Sequence, residues 1–473
     1  MPVTTVDDES ISSTDRKKRV TVEQRGIEYI PHEERHGRTW HLGAMWSGLV
    51  LNVLTVVYGT ILVQLGLNWW QALLAIVLGN LSWILTGLVS LAGPAAGTTT
   101  FGASQLVFGR LGVRPVAAFN WLMMIGYEVL DLVVMVLAAG ELLRMAGVTV
   151  STPVQFVLVI GLSVLQAVLP LLGHHAVTKV LRMLVIPFAA IFLIMAFLVV
   201  DKVHLGHQGP SSIAVFLSGI ALVASSSGLG WASSAADYSR YLPPATGRLS
   251  LTSAVALGGA IPQMLLMVLG VAIALAMPDS TDPVSGLSAV FPTWLVVIYL
   301  LLVIVQMVSL NAVDLYSSGV TLQACGVRLR RWQAVMIDGI LCGVVGLAVV
   351  FAGDFYTFVS NFLLFMIVWF APWSAVFLVD MWRRRGRYPD ATASLRRSWS
   401  PPALSAQSIG MVASLVCINT SVFTGPVATA LGDADLSVVA GLLVGGIAYG
   451  AFTSRMRTPP TDPATTDDVP IAS

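Results

Sequence analysis

Two acidic residues, Glu128 and Asp131, lie three positions apart inside a long apolar stretch, and Tyr127 lies one turn from Asp131. Residues at this spacing share one face of a helix. A charge at mid-membrane depth costs about 2.5 to 3.5 kcal/mol, and such side chains mark pathways of ions, protons or polar ligands. The pair therefore indicates a functional site, with hydrogen bonding between helices as the competing interpretation.

A later apolar stretch carries a second set of polar side chains, namely Gln306, Ser309, Asn311 and Asp314. Hydrogen bonds between neighbouring helices also account for polar residues of this kind. Both interpretations stay open for Asn311 and Asp314.

Small and polar residues interrupt two other apolar stretches. One contains Trp46-Ser47-Gly48 followed by Asn52 and Thr55, and the other contains the run Ser225-Ser226-Ser227-Gly228-Leu229-Gly230-Trp231. Transporters bind substrates near the bilayer midplane, where broken helices free backbone groups for ions and polar ligands. Close packing between helices is the alternative use of small residues.

Other kinds of chemistry lack their motifs. The four lysines are Lys17, Lys18, Lys179 and Lys202, and glycine precedes none of them, so the chain contains no phosphate-binding loop ending in Gly-Lys-Ser/Thr. No predicted span contains a histidine apart from His41 at the start of span 1, so no span carries a metal-binding His-Glu-x-x-His helix, and the three cysteines show no metal-binding spacing. These absences exclude an ATP-driven pump within this chain and argue against an enzyme or a bound cofactor.

Twelve apolar stretches must position these residues. The 473 residues are 56% hydrophobic and 11% charged, whereas a typical soluble domain has about 25% charged residues. Each stretch is long enough to cross a bilayer as a helix. The predicted spans are 42–65, 69–92, 115–141, 152–171, 178–200, 212–235, 251–277, 291–322, 333–352, 356–381, 405–424 and 435–453.

The distribution of basic residues predicts the orientation of these spans. With a cytoplasmic N-terminus, 24 of the 26 Lys and Arg residues fall on the cytoplasmic side, leaving Arg144 and Lys202 outside. We therefore expect a multi-pass protein of the cell (inner) membrane with both termini in the cytoplasm. Residues 1–40 and 456–473 are predicted to be tails, the second of them disordered, because they are polar and rich in charge, Thr or Pro.

The interrupted spans are the first and the sixth, which are five apart. Five is an odd number, so two five-helix repeats have opposite orientations in the membrane. This predicts repeats over 41–200 and 201–382, a basic cytoplasmic loop over 383–404 and two peripheral helices over 405–455.

Five segments in order resemble the nucleobase:cation symporter family, in its purine and cytosine permease branch. The resemblance runs from Gly26 to about Arg387. Its segments are Gly26-Ile27-Glu28 with Pro31 and Arg35; Gly93 to Thr99 with Phe108 to Gly112; Ala236 to Pro243; Leu315 to Gly319; and Pro372 to Asp380 with Arg383.

The resemblance implies a LeuT-type all-α fold of ten core helices and two peripheral ones. A bundle of spans 1, 2, 6 and 7 and a scaffold of spans 3, 4, 8 and 9 then enclose the substrate. In this family a flat heterocycle stacks between aromatic rings of spans 3 and 6, which match Tyr127 and Trp231. The remaining substrate-contact positions implied are Asp131, Gly230, Gln306, Asn311 and Asn52.

For cation coupling, the matching positions are Gly48 and Leu51 in span 1 and Ser309 in span 8. Leu310 stands where sodium-coupled relatives have a second hydroxyl, which weakens the case for sodium. Glu128 and Asp131 provide carboxyls in a low-dielectric environment, where desolvation and mutual repulsion disfavour full ionisation. We therefore expect proton symport ahead of sodium symport, with Glu128 as carrier and Asp131 as ligand.

The expected substrate is cytosine or an aminopurine, because an ionised Asp131 accepts hydrogen bonds only and favours ligands with N–H groups. The alternative is another heterocycle, such as a hydantoin, allantoin, or a pyridoxine- or thiamine-type vitamin. The lipid bilayer is the other partner, and neither nucleic acid nor an obligate protein partner is expected.

Overall fold

A computed structural model describes residues 29–172, 174–203, 211–277, 282–327, 331–386, 388 and 398–454. The predicted tails, 1–40 and 456–473, therefore lie outside the described residues except for 29–40, as do residues 387 and 389–397 of the predicted basic loop. The described chain is helical and contains no strand beyond one isolated bridge between Asn419 and Thr424.

The first five spans comprise nine helices. Span 1 consists of α1 (Thr39–Val50) and α2 (Val53–Gln64), and span 2 of α3 (Trp69–Asn80), α4 (Trp83–Val89) and α5 (Ala92–Ala96). A short α6 (Thr100–Phe108) leads to span 3, α7 (Val113–Met145), span 4, α8 (Thr152–Leu172), and span 5, α9 (His174–Val199).

The next five spans also begin with a broken helix, span 6. Span 6 contains α10 (Ile213–Ala224), a π-helical turn at Ser225–Leu229 and α11 (Ala235–Ser239). Span 7 is α12 (Arg248–Ala276), and a short α13 (Leu287–Val290) precedes span 8, α14 (Thr293–Ala324). Spans 9 and 10 are α15 (Arg331–Ala352) and α16 (Phe355–Arg383).

Two peripheral helices complete the chain, α17 (Pro401–Cys417) and α19 (Ser437–Thr453), with the short α18 (Pro426–Ala430) between them. Eight helical segments are individually long and apolar enough to cross a membrane, and α1 with α2 forms a ninth span bent by 59°. Three shorter apolar helices, in spans 4, 11 and 12, bring the number to the predicted twelve. Helices satisfy their own backbone hydrogen bonds, which is what a lipid environment demands.

The eleventh span ends earlier than predicted, at Cys417 instead of residue 424. The residues after it form a closed turn, in which the Thr420 N–H donates to Phe423 O (3.0 Å) and the Gly425 N–H donates to Ile418 O (2.8 Å). Asp435 accepts from the Asn419 N–H (2.8 Å). Asn and Ser/Thr side chains favour such turns, and this preference overrides the apolar pattern.

The helices pack in two groups. In the first, hereafter the bundle, α12 lies against α1, α2 and α4; in the second, the scaffold, α7 lies against α8, α14 and α15. Glycines allow the bundle backbones to touch: a Cβ at Gly59 would clash with Met267 O, and one at Gly270 would clash with Val56 O. Spans 1 and 7 are therefore in direct backbone contact at mid-length.

Candidate functional site

The break in span 1 is built from its own polar residues. Asn52 caps α2 by accepting from the Thr55 N–H (3.1 Å), and its Nδ2 donates to Leu49 O (2.8 Å). The Thr55 hydroxyl donates to Val50 O (2.7 Å). These contacts satisfy backbone groups that the break would otherwise leave unpaired in an apolar environment.

Gln306 of α14 closes the same break from the scaffold side. Its Nε2 donates to Leu51 O (3.0 Å), and its Oε1 accepts from the Val53 N–H (3.4 Å). Gln306 and Asn52, both predicted substrate contacts, thus lie together at the break, with their amides engaged by protein backbone. Their contact with a substrate stays a prediction.

The break in span 6 lies at Ser227, whose backbone is non-helical (φ −107°, ψ −137°). Gln263 of α12 donates to Ser226 O (2.9 Å) and accepts from Trp83 Nε1 (2.7 Å). The Thr86 hydroxyl of α4 donates to Gly228 O. Side chains from spans 2 and 7 therefore fix this second break.

The two predicted stacking residues are both half-buried. Tyr127 lies on α7 of the scaffold, and Trp231 follows the span 6 break and lies beside α1 of the bundle. Tyr127 packs edge-on against Phe362 of α16 (ring centroids 5.3 Å apart), and Trp231 packs edge-on against Trp46 of α1 (5.7 Å). A Cβ at Gly230 would lie 3.1 Å from the Tyr127 hydroxyl. The neighbour of Trp231 therefore approaches Tyr127, so the structure brings these three residues together.

Asp131 is buried, and its carboxyl interacts electrostatically with that of Asp314 on α14. Neither carboxyl has a hydrogen-bond donor among the described residues. Both also act on Tyr127 and on Tyr58 of α2. Two carboxyls and two phenols are thus close enough to interact, on α2 of the bundle and on α7 and α14 of the scaffold.

Glu128 and Asn311 lie elsewhere, in the interior of the scaffold. Asn311 is fully buried, and its Nδ2 donates to Glu128 O (3.1 Å) and to Gln166 Oε1 of α8 (2.5 Å). The Glu128 side chain is also fully buried. The structure therefore separates these two from the aromatic pair, although all of them lie on the predicted spans.

The predicted cation-coupling positions in spans 1 and 8 have local protein contacts. Ser309 donates to Val305 O in its own helix (2.7 Å), and Leu51 O accepts from Gln306. A Cβ at Gly48 would have Val185 of α9 as its nearest neighbour (3.7 Å). The Leu51 carbonyl thus already accepts a hydrogen bond from protein, whereas the Ser309 hydroxyl donates and keeps its own lone pairs.

Comparison with known proteins decides the family. Residues 29–441 match the family described as permeases for cytosine/purines, uracil, thiamine and allantoin. The chain belongs to this permease family. The putative purine-cytosine permease YxlA of Bacillus subtilis (strain 168) is 29% identical, covering 90% of this chain and 95% of its own.

More distant proteins also match the permease, one in sequence and the others in structure. The purine-cytosine permease fcyB of Emericella nidulans is 23% identical over 91% of this chain and 88% of its own. The inward-facing structure of Mhp1 matches with a TM-score of 0.72 at 18% identity, covering 91% of this chain and 95% of that one. Mhp1 closed around bromovinylhydantoin matches with a TM-score of 0.67 at 20% identity, over 90% and 93%.

These matches confirm the LeuT-type fold predicted for the permease, a polytopic all-α transporter rather than an enzyme. The predicted kinship is confirmed by the family match over residues 29–441.

Several polar residues that shape the permease were not singled out as site residues from the sequence. The sequence pattern marked Asp314 only as a polar residue deep in span 8, and it assigned no role to Gln166, Gln263 or Asp338. Each is a single polar residue in an apolar run, which is the available signal. The hydrogen-bond partners of Gln166, Gln263 and Asp338 lie 20 to 217 positions away, so the sequence does not reveal what they bind.

Proposed function

We propose that this permease imports an amino-bearing nucleobase, cytosine or an aminopurine, together with a proton. It lies in the cell (inner) membrane with both termini in the cytoplasm. The substrate stacks between Tyr127 and Trp231, and Asp131 binds the edge of the ring. The segments 41–200 and 201–382 are its inverted repeats.

The carboxyls of Asp131 and Asp314 carry this proposal. Both lie at the meeting of bundle and scaffold without a donor from the described protein, and an ionised carboxyl accepts hydrogen bonds but cannot donate them. A base with an exocyclic amine offers extra N–H donors to such a group, whereas a diketo ring has a carbonyl oxygen at that position and only its ring N–H groups can donate. Buried acceptors left unpaired oppose the second ligand.

The span 1 break supports a proton in preference to sodium. Sodium requires several oxygens that converge on one point, as hard cations do in general. Here Leu51 O already accepts from the Gln306 amide, and Leu310 offers no side-chain oxygen beside that of Ser309. The carboxyls of spans 3 and 8 instead provide oxygens that a proton can use.

A competition assay in whole cells tests the substrate. Labelled cytosine is offered with excess unlabelled adenine, hypoxanthine, uracil, allantoin or pyridoxine. Cytosine and adenine should enter and compete, and uracil should compete at least tenfold less well. Strong uptake of uracil, allantoin or pyridoxine without entry or competition by cytosine and adenine would refute the proposed substrate class.

The coupling ion is tested separately in proteoliposomes, with a pH gradient or a sodium gradient imposed at clamped membrane potential. We expect accumulation to follow the pH gradient and to be indifferent to sodium. Accumulation that follows sodium and ignores the pH gradient would refute proton symport while leaving the substrate assignment intact.

A further inference from the structure

Two arginines from different helices meet at one end of the bundle. Arg248 is the first residue of α12, and Arg385 lies two positions after the last residue of α16. Both are exposed, and Nη2 of Arg248 donates to the Arg385 carbonyl (3.3 Å). An arginine side chain is long and flexible, so both guanidiniums can reach one ligand bound beside this contact.

Neither of these guanidiniums has a carboxylate partner among the described residues. Their neighbour Arg384 has one, because its Nε donates to Asp380 Oδ2 (2.5 Å), and the Tyr449 hydroxyl donates to the other oxygen of the same carboxyl. Two positive groups near one another repel, and an anion between them removes that repulsion. Guanidinium groups bind phosphate oxygens with paired hydrogen bonds, so the two arginines favour a phosphate.

The turn that ends α16 fixes the position of Arg385. The Arg385 N–H donates to Trp382 O (2.9 Å), and the Gly386 N–H donates to Met381 O (3.0 Å). Arg385 has a left-handed backbone (φ 54°) at a position where helices usually end in glycine. Backbone strain of this kind is typical of residues that bind a ligand.

Exposed apolar side chains adjoin the two arginines in the chain. Leu249 (81% exposed) follows Arg248, and Trp382 (79% exposed) lies in the turn that Arg385 closes. These are the two most exposed large apolar side chains among the described residues. Tryptophan is enriched where a helix meets the bilayer surface. A ligand with a negative head and an apolar body therefore matches this surface better than a soluble anion does.

We propose that the surface formed by Arg248, Leu249, Trp382 and Arg385 binds an anionic phospholipid. The lipid phosphate accepts hydrogen bonds from the two guanidiniums, and its acyl chains lie along the leucine and tryptophan side chains. Basic pockets between membrane helices bind lipid headgroups of this kind. The lipid joins the start of α12 to the end of α16 and thereby stabilises the folded permease. This site depends on neither the proposed substrate nor the proposed coupling ion.

Thermal unfolding of the purified protein in neutral detergent tests the site. Added phosphatidylglycerol should raise the Tm by about 3 °C or more above the Tm in phosphatidylcholine with the same acyl chains, because a ligand of the folded state stabilises it. Arg248→Gln and Arg385→Gln should each lose about half of this difference or more. Their Tm in phosphatidylcholine shows that they fold. Native mass spectrometry should show less phosphatidylglycerol retained by the same two variants.

Arg114→Gln is the matched control, because it removes one exposed positive charge near the start of the scaffold helix α7. It should keep the full response to phosphatidylglycerol, and an equal loss in this variant would overturn the site. Equal wild-type Tm values in the two lipids would also overturn it, as would an unchanged response in both the Arg248 and Arg385 variants. Glycerol 1-phosphate should leave the Tm unchanged; a rise equal to that with phosphatidylglycerol would indicate a site for soluble phosphate esters and contradict the lipid.

Discussion

At the scale of single residues, the contacts of Trp231 favour binding of a flat substrate. Its ring is half-buried and packs edge-on against Trp46, which also packs edge-on against Trp83 (5.3 Å) and Tyr238 (5.2 Å). An indole held at its edge by rigid neighbours keeps a face available for a second ring. Stacking of a base on an aromatic side chain contributes about 1 to 3 kcal/mol in proteins that bind nucleic acids.

Replacement of Trp231 should therefore separate stacking from folding. We expect Trp231→Ala to weaken substrate binding by about five- to hundredfold, so that uptake falls below detection, and Trp231→Phe to retain part of the uptake. Uptake of labelled base at matched membrane expression is the measurement. The control is Trp70→Ala, which removes an exposed indole from α3 and should transport normally. Equal, near wild-type uptake by Trp231→Ala and Trp231→Phe would place Trp231 outside the site.

At the scale of single elements, the broken helices are held from outside. Gln263 and Thr86 hold the span 6 break, Gln306 holds the span 1 break, and the Ser225 hydroxyl donates to Leu363 O of α16. Gln263, Thr86 and Gln306 each bind a backbone group at a break, and Ser225 ties the span 6 break to α16. The breaks are consequently fixed structures and not frayed ends.

The sequence was sufficient to predict where the breaks fall but not what holds them. Glycine and serine runs at Gly48 and Ser225 signalled the breaks, and basic residues together with hydropathy predicted the twelve spans. Gln263 and Gln306, by contrast, act through contacts between distant parts of the chain. An amide side chain in an apolar run can hydrogen-bond equally well to a substrate or to a backbone carbonyl. Which partner it binds is therefore visible only in the three-dimensional structure.

Close packing of α2 against α12 leads to a prediction about glycine. A Cβ at Gly59 would clash with the backbone of Met267, whereas a Cβ at Gly161 in α8 meets no atom within 4 Å. Alanine is the better helix former, so Gly161→Ala should be neutral or slightly stabilising. Gly59→Ala should cost about 1 to 3 kcal/mol through overpacking, measured as a lower Tm in detergent; equal Tm values for the two variants would contradict the backbone contact.

At the scale of the whole molecule, the peripheral helices are attached to the core through α16. A Cβ at Gly410 or Gly441 would clash with Pro372, so α17 and α19 both lie directly against that helix. Near the C-terminal end of α16, the Tyr449 hydroxyl donates to Asp380 Oδ1 (2.6 Å), and Arg384 Nε donates to Asp380 Oδ2 (2.5 Å). Arg384 also donates to Leu106 O of α6 (3.1 Å). One carboxyl thus joins the last helix to the core.

Loss of this junction should affect stability in a graded way. Tyr449→Phe removes one hydrogen bond to a charged acceptor, worth about 1.5 to 3 kcal/mol. Asp380→Ala leaves the mostly buried Arg384 without its counter-ion and should cost more, about 3 to 5 kcal/mol. Thermal unfolding of the purified protein in detergent should rank the Tm values as wild type, Tyr449→Phe, Asp380→Ala; a Tyr449→Phe variant as unstable as Asp380→Ala would contradict this order.

The Gln306 clamp across span 1 has a consequence for the fidelity of the carrier. Any rocking of the bundle against the scaffold pulls Leu51 and Val53 away from the amide, and both backbone groups must then find new partners or pay the cost of having none. The empty carrier meets this cost as well as the loaded one, because every symport cycle includes the return of the empty carrier. We therefore expect a neutral amide to limit how fast the carrier turns over.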